Sequence, residues 1–235
     1  TALKYVGANA DTTFTRRSTQ FRIYDSNLWF NSKNGKHDFI LKYSIIPRTP
    51  NLRYFVSATD DADPLNVTRG GENLKDIIYY NTDFRYTYKG SMMVSPNIYY
   101  NRTNNAVSMG YIYDKSTGRR TVTPASINGN WRAGAGLSLS GALDKKRLLV
   151  FSNNLNADFV NSADYIGSDE AKPMGKSIVK TWNVSEHLRL DYKIGRHSIG
   201  FNGNFSWLRS ASDMAAFSTI NAYNYNYGLT GMVVL

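Results

Sequence analysis

The side chains able to do chemistry in this 235-residue chain are few: it has three histidines and no cysteine. A thiolate metal site and a disulfide framework are therefore excluded. His37, His187 and His197 are separated by turns or whole strand lengths, and no Gly-rich phosphate loop, HExxH or GxSxG element accompanies them. Asp60, Asp61 and Asp63, with Glu72 nearby, are hard oxygen donors of the kind that hold Ca²⁺ in an exposed loop. Their spacing is not that of an EF-hand, and a solvated acidic loop is the plainer reading. His187 shares its parity with Arg189 and Asp191, which suits a hydrogen-bond network better than catalysis. NVT from Asn66 and NRT from Asn101 fit the N-glycosylation pattern, which carries weight only in a eukaryotic secretory context.

The elements that must position these residues are short and alternating. The stretch Ala222 to Leu235, AYNYNYGLTGMVVL, puts Tyr223, Tyr225, Tyr227 and Leu229 on one parity and Asn224, Asn226, Gly228 and Thr230 on the other. Side chains alternate faces along a strand, so this is a ribbon with one apolar and one polar face. The same design recurs through the chain. Phe39, Leu41, Tyr43 and Ile45 alternate with Asp38, Lys42 and Ser44, and Trp182, Val184, Leu188, Leu190 and Tyr192 with Asn183, Ser185, His187, Arg189 and Asp191. High tyrosine (17) and phenylalanine (11) with no long helical period point to an all-β chain.

The pattern predicts nine strands, or ten with an N-terminal stub over residues 1–9. Connections alternate in length. Asn31–Lys36, Lys89–Gly90, Asp144–Arg147 and Gly195–Arg196 are tight turns, whereas Ile46–Asp76, Asp114–Ile127, Asn161–Lys176 and Ser210–Thr219 read as long loops. Asp11–Gln20 reads as a polar connection. The phase of the apolar residues shifts near Arg102–Ala106, the mark of a bulge or of emergence from an apolar layer. Pro47, Pro50, Pro64, Pro124 and Pro173 fall in the expected long loops, and Pro96 alone falls inside a strand.

An apolar strand face needs either a protein core or lipid. No apolar run of about 18 residues is present, which excludes transmembrane helices and says nothing against a barrel. Three features favour lipid. Alternating connections place every long loop at one end, as in outer-membrane barrels. Trp131, Trp182 and Trp207 lie on the apolar parity near long loops and Tyr88 and Tyr192 near short turns, as two aromatic girdles would. The polar parity is rich in Asn, Ser, Arg and Asp, which suits a wet or plugged lumen. A soluble β-sandwich binding module is the alternative, but such a meander lacks an evident Greek-key crossover. The net charge of +10 lies largely at turns and loops, with no recognition helix or nucleic-acid motif, so no nucleic-acid partner is expected.

Two stretches carry a family resemblance. PNLRYFVSATDDADPLNVTRGGENLKD, Pro50–Asp76, resembles a loop of outer-membrane β-barrel proteins related to TonB-dependent receptors, in which Pro-Leu precedes G-N-P-x-L-K. Pro64, Leu65, Gly70, Leu74 and Lys75 match, Asn73 occupies the free position, and Gly71 and Glu72 stand where that pattern has Asn-Pro. YDKSTGRRTVTPASINGNW, Tyr113–Trp131, is similar to the family's Y-D-x-x-T-G…P…N-G-x-W through Tyr113, Asp114, Thr117, Gly118, Pro124, Asn128, Gly129 and Trp131.

The resemblance implies a signal peptide, an N-terminal plug with a TonB-binding segment and a barrel of about 22 strands. The chain shows no plug and ends in Leu235 rather than an aromatic residue, so it is expected to be an internal piece of such a barrel. The implied fold is an antiparallel up-and-down transmembrane β-barrel, of which this is a part, in the outer membrane of a Gram-negative bacterium. The implied function is uptake of a glycan, peptide or chelate, with Arg85, Arg132, Arg189 and Asn202 lining the lumen route and no catalysis. Outer-membrane lipid, lipopolysaccharide, TonB and a surface lipoprotein are the partners that reading implies. The residues also admit a small closed ten-stranded barrel, either adhesive or structural, or a rim protease pairing Asp83 or the Asp60 group with His187.

Overall fold

A computed structural model describes residues 2–6, 12–16, 20–55, 63–71, 73–169, 175–214 and 217–234. The first two strands, β1 (Ala2–Val6) and β2 (Thr12–Arg16), pair antiparallel, so the expected polar connection over Asp11–Gln20 contains a strand. β3 (Tyr24–Asn31) and β4 (His37–Arg48) follow, then a 3₁₀ turn at Leu52–Phe55 and the short β5 (Asn66–Thr68). Next come β6 (Ile77–Lys89), β7 (Met92–Asn104), β8 (Ala106–Asp114), β9 (Arg119–Ile127) and β10 (Asn130–Ala142). The last five are β11 (Leu149–Ile166), β12 (Ser168–Asp169), β13 (Gly175–Ile194), β14 (His197–Ser212) and β15 (Ile220–Met232).

Nine of these strands form one antiparallel sheet in the order β15-β14-β13-β11-β10-β7-β6-β4-β3, an up-and-down wall that is not closed. Its registers keep the apolar parities in phase. Phe30 faces Phe39, Phe39 faces Tyr86, Phe84 faces Ile98, Ile98 faces Ala135, Leu137 faces Leu155, Val184 faces Trp207 and Trp207 faces Tyr223. One face of the wall is thereby apolar across all nine strands and the other polar. A one-residue slip in any ladder would move that strand's apolar residues to the polar face, so the alternation itself fixes the register. From Trp182 to Tyr192 β13 rises roughly 33 Å, and a tilt of about 40° turns that into about 25 Å of apolar band.

Proline shows how the ladders are kept complete. Pro96 lies in β7, flanked on both sides, and faces Leu137 of β10, while the β6–β7 register breaks between Arg85–Asn97 and Tyr88–Val94. The missing N–H is replaced by the neighbouring hydroxyl, since Ser95 Oγ donates to the Tyr86 carbonyl at 3.2 Å and lies 2.9 Å from Thr87 Oγ1. Ser95→Ala is expected to destabilise the protein by about 1–3 kcal/mol by orphaning that carbonyl. Equilibrium unfolding in vesicles measures it, with Thr87→Ser as a control of small effect. Pro47 and Pro124 lie in strands rather than in loops as expected. Both sit where one flank has no ladder: β3 reaches only Ile45, and β5 covers only Arg120–Val122.

The long connections are more ordered than expected. The stretch 114–127, expected as a polar loop, is a turn followed by β9, which pairs with β8 as a hairpin that continues β7 and β10 outward. It leaves the wall where Asn105 (φ 54°) and Gly129 (φ 119°) face each other's strands, which makes the phase shift near Arg102–Ala106 an emergence. The Asn105 N–H donates to Asn128 Oδ1 at 2.7 Å and its side chain to the Asp76 carbonyl at 3.0 Å. The loop expected over Asn161–Lys176 is shorter too, because β11 runs to Ile166 and β13 begins at Gly175. β5 then joins β9 in parallel and β12 joins β8 in parallel, giving a second sheet of four strands.

Among the described residues the buried apolar side chains are Phe55, Val67, Leu74, Ile127 and Ala163, all at the long-loop end. The wall itself has no protein core, as expected of a layer between lipid and a lumen. Outside it, the loops pack as a small domain would.

Candidate functional site

The polar face of the wall is the candidate site, and its residues fall into two sectors. On β6, β7, β10 and β11 it is charged. Arg132 Nη2 lies 2.9 Å from Asp158 Oδ2, with its guanidinium over the Tyr99 ring at 5.3 Å, while Lys42 faces Asp83 on the next strand. Gly134 makes this possible, because a Cβ there would come within 2.5 Å of the Tyr99 ring and 2.6 Å of Asp158 Oδ1. Glycine weakens a strand, and here it supplies the space in which the neighbouring polar side chains lie down.

From β11 to β15 the polar face is dominated by amides. Asn154, His187, Asn204 and Asn226 are consecutive partners across four strands. His187 Nδ1 lies 2.5 Å from Asn204 Oδ1, and Asn204 Nδ2 donates to Asn226 Oδ1 at 2.6 Å. With Oδ1 as acceptor, the proton is on Nδ1. A hollow of about 240 Å³ opens over this row, lined also by Asn156 and Asn224. The row sits above a bidentate pair, Arg189 Nε and Nη2 donating to Asp191 at 2.6 and 3.1 Å.

The residues expected to line the lumen all occupy the polar parity, but they do not converge. Arg189 and Asn202 are register partners on β13 and β14, whereas Arg85 is on β6 and Arg132 on β10, with β7 between them. Asp83 and His187 are four strands apart, roughly 19 Å along the sheet, well beyond hydrogen-bond reach. Of the acidic group, Asp60, Asp61 and Glu72 lie outside the described residues. Asp63 is engaged in its own turn, accepting from the Leu65 N–H at 3.0 Å and Asn66 Nδ2 at 2.8 Å. These bonds, the Asn66 side chain foremost, hold its carboxyl below the usual range. Among the described residues no three His, Asp or Glu side chains are grouped to hold a metal ion.

On the apolar face the rings of Tyr100, Trp131, Phe159 and Trp182 form a continuous row at the long-loop end, with centroid distances of 6.0, 5.0 and 4.5 Å. Trp207 extends it and donates Nε1–H to Asn221 Oδ1 at 2.7 Å. At the short-turn end Tyr88 packs on His37 at 5.3 Å, and Tyr192 lies between Leu149 and Ile199. Polar residues of this face have no counterpart among the sequence expectations, Glu186, Asn153 and Arg209 among them. Glu186 sits midway between Trp182 and Tyr192 on the apolar parity and accepts a hydrogen bond from Asn153 Nδ2 at 2.7 Å. Counting parity straight through β13 reveals it; attending only to the apolar residues passes over it. Replacing both partners, Glu186→Leu with Asn153→Leu, is expected to stabilise the protein by about 1–2 kcal/mol in bilayers, because a carboxylate and an amide leave the apolar band. Unfolding titrations in vesicles read the change.

The residues that carried the family resemblance meet in the outer sheet. Arg120 N–H donates to the Leu65 carbonyl at 2.7 Å, Arg69 N–H to Val122 O at 2.9 Å and Lys75 N–H to Ser126 Oγ at 2.9 Å. Pro124 is packed against Gly71, and Gly71 N–H donates to Tyr54 O at 2.7 Å. At the hairpin tip Asp114 accepts from Ser116 N–H and Oγ at 2.8 and 2.7 Å and from the Thr117 hydroxyl. Gly118 (φ 72°) closes the turn. Those bonds, led by Thr117 and Ser116, hold the Asp114 carboxyl at about 2. A depressed carboxyl stabilises the turn above its unfolded pKa of about 4, and that stabilisation is lost as pH falls through about 2. Hydrogen exchange over Ser116–Gly118, corrected for intrinsic rate, should therefore be level above pH of about 4 and rise below it; Asp114→Ala should remove this pH dependence.

Both motifs thus take part in the packing of the outer sheet. Residues 10–233 match the model of the Outer membrane protein beta-barrel family. No curated protein and no solved structure matches the chain. With a match that spans nearly its whole length, the chain belongs to this outer-membrane β-barrel family and resides in the bacterial outer membrane.

Proposed function

We propose that the chain is the barrel segment of a TonB-dependent-type receptor that takes up a nutrient through a plugged barrel. The observation that carries this is the parity of the wall. Nine antiparallel strands leave β3 and β15 running in the same direction, so they cannot close on each other in an antiparallel barrel. Bacterial barrels of this kind have an even number of antiparallel strands, so the wall fits as one arc of a larger barrel. A larger barrel has a lumen wide enough to hold a plug. A polar face rich in uncharged amides, with the Arg132–Asp158 and Arg189–Asp191 pairs neutralised internally, suits both a plug and a polar nutrient. The substrate class of that reading is a glycan, peptide or chelate. Its partners are TonB, reached through an N-terminal region, and a surface lipoprotein at the long loops, with lipopolysaccharide around the outer rim.

The experiment is in vivo cross-linking of the intact protein followed by determination of its mature mass. The expected outcome is an adduct with TonB and a mature mass several times 26.5 kDa. A mature chain of 26.5 kDa that gives no TonB adduct would overturn the proposal.

A further inference from the structure

Three of the four short turns of the wall carry a concentration of positive charge that neither the sheet nor the lumen uses. Lys33 and Lys36 lie in the β3–β4 turn, Lys145, Lys146 and Arg147 in the β10–β11 turn and Arg196 in the β13–β14 turn, and all six are exposed. Among the described residues none of the six makes an ion pair with a carboxylate. The acids at this end are engaged elsewhere. Asp38 is held by Lys89 at 3.5 Å and by the Trp29 indole N–H, Asp191 by Arg189, and Asp144 accepts the Leu149 N–H at 2.8 Å inside its own turn.

Depth gives the cluster a meaning beyond solvation. Arg196 comes two residues after Ile194, which is 55 % exposed, and three before Ile199, which is 50 % exposed; Lys36 directly precedes His37, packed on Tyr88. The cations therefore lie two or three residues beyond the last lipid-facing apolar groups, about 7–10 Å along a strand, at the level of the headgroups. Short turns of such barrels face the periplasm, so this is the inner leaflet, built of glycerophospholipids. The long-loop end differs in kind, with Asp63, Asp114, Asp164 and Asp213 set among its cations.

We propose that this rim is a cationic collar that binds the phosphodiester headgroups of anionic phospholipids in the periplasmic leaflet. Bound headgroups would neutralise the unpaired turn cations, and the acyl chains of the same lipids would cover the apolar band between the two aromatic rows. The selectivity is for net negative charge, since a zwitterionic headgroup offers the same phosphate with a compensating amine. The inference requires only the outer-membrane location and is independent of transport.

The test uses the intact protein in nanodiscs of mixed phosphatidylglycerol and phosphatidylcholine, with retained lipid read by native mass spectrometry. The wild type should retain phosphatidylglycerol about tenfold over its share of the bilayer. Converting Lys33, Lys36, Lys145, Lys146, Arg147 and Arg196 to Gln should abolish the enrichment. A charge-keeping set, Lys145→Arg, Lys146→Arg and Arg147→Lys, should preserve it and so controls for folding of the turns. Equal retention by the wild type and the Gln variant would overturn the proposal and leave the cations to a soluble periplasmic partner. Displacement of the lipid by millimolar inorganic phosphate would also overturn it, by showing a simple anion site.

Discussion

A lysine introduced at Val184 should lower the stability of the protein in bilayers by about 2–4 kcal/mol, while a lysine at the adjacent Ser185 should change it by no more than about 0.5 kcal/mol. The two positions are one residue apart near the middle of β13 and differ only in face. Val184 lies between Ala157 and Trp207 on the apolar side, with Trp182 and Glu186 two residues away on that face. An ammonium there must remain in hydrocarbon or drag water and headgroups inward. Ser185 lies between Asn156 and Ser206 and borders the hollow over the amide row, where a charged head reaches water. Denaturant titration in vesicles of one composition measures both variants. Because Glu186 lies two residues from Val184 on the same face, both lysines are introduced with Glu186→Leu and Asn153→Leu, so that no carboxylate can pair with the ammonium.

The second large effect is expected at the outer sheet. Gly71→Ala should release the first long loop from the hairpin and destabilise that packing by about 1–3 kcal/mol. A Cβ at Gly71 would lie 2.3 Å from the Pro124 carbonyl oxygen, a backbone atom held by the β8–β9 ladder, and 3.2 Å from the Leu74 side chain. Neither flexible repacking nor a rotamer change relieves a clash with backbone. Gly167→Ala offers the contrast. There the obstacle is the Tyr111 ring, 1.8 Å from the added carbon, so Tyr111→Gly should rescue Gly167→Ala, whereas no side-chain truncation should rescue Gly71→Ala. Protease cleavage of the loops on whole cells reads the release. Cleavage of Gly71→Ala at the wild-type rate would show that the interlock is not what orders the loops.

The wall was legible in the sequence because its information is local. A period of two over Trp182–Tyr192 or Tyr223–Leu229 assigns faces without any partner strand, and turns such as Asn34-Gly35 mark where the chain reverses. The outer sheet was hidden for the opposite reason. β5 and β12 are three and two residues long, too short for any periodicity, and they exist only because β9 and β8 offer them an edge. RRTVTPASI, β9 itself, reads as a polar loop because its threonines, serine and Pro124 obscure its pairing with β8. The candidate lumen residues were readable as to face but not as to company. That Arg189 meets Asn202 while Arg85 and Arg132 stand apart depends on strand order and register, which no single strand encodes.

The family motifs teach the same point. Pro64, Leu65, Gly70, Leu74 and Lys75 on one side and Pro124, Asn128 and Gly129 on the other are, when read along the chain, only two separate marks of a family. In three dimensions the two sets bring the first loop and the hairpin together, with Leu74 and Val67 buried there and Asn128 holding the Asn105 amide. That packing holds the first loop against the hairpin at the outer rim.

The most direct measurement is the accessibility of a nitroxide placed singly at each position of β13 from 180 to 192, in bilayers, to oxygen and to a water-soluble nickel chelate. If this face of the wall meets lipid, oxygen accessibility peaks at 182, 184, 188, 190 and 192, and chelate accessibility peaks at 183, 185, 187, 189 and 191. Two curves in phase, or chelate reaching the even positions throughout, would contradict a bilayer-spanning wall.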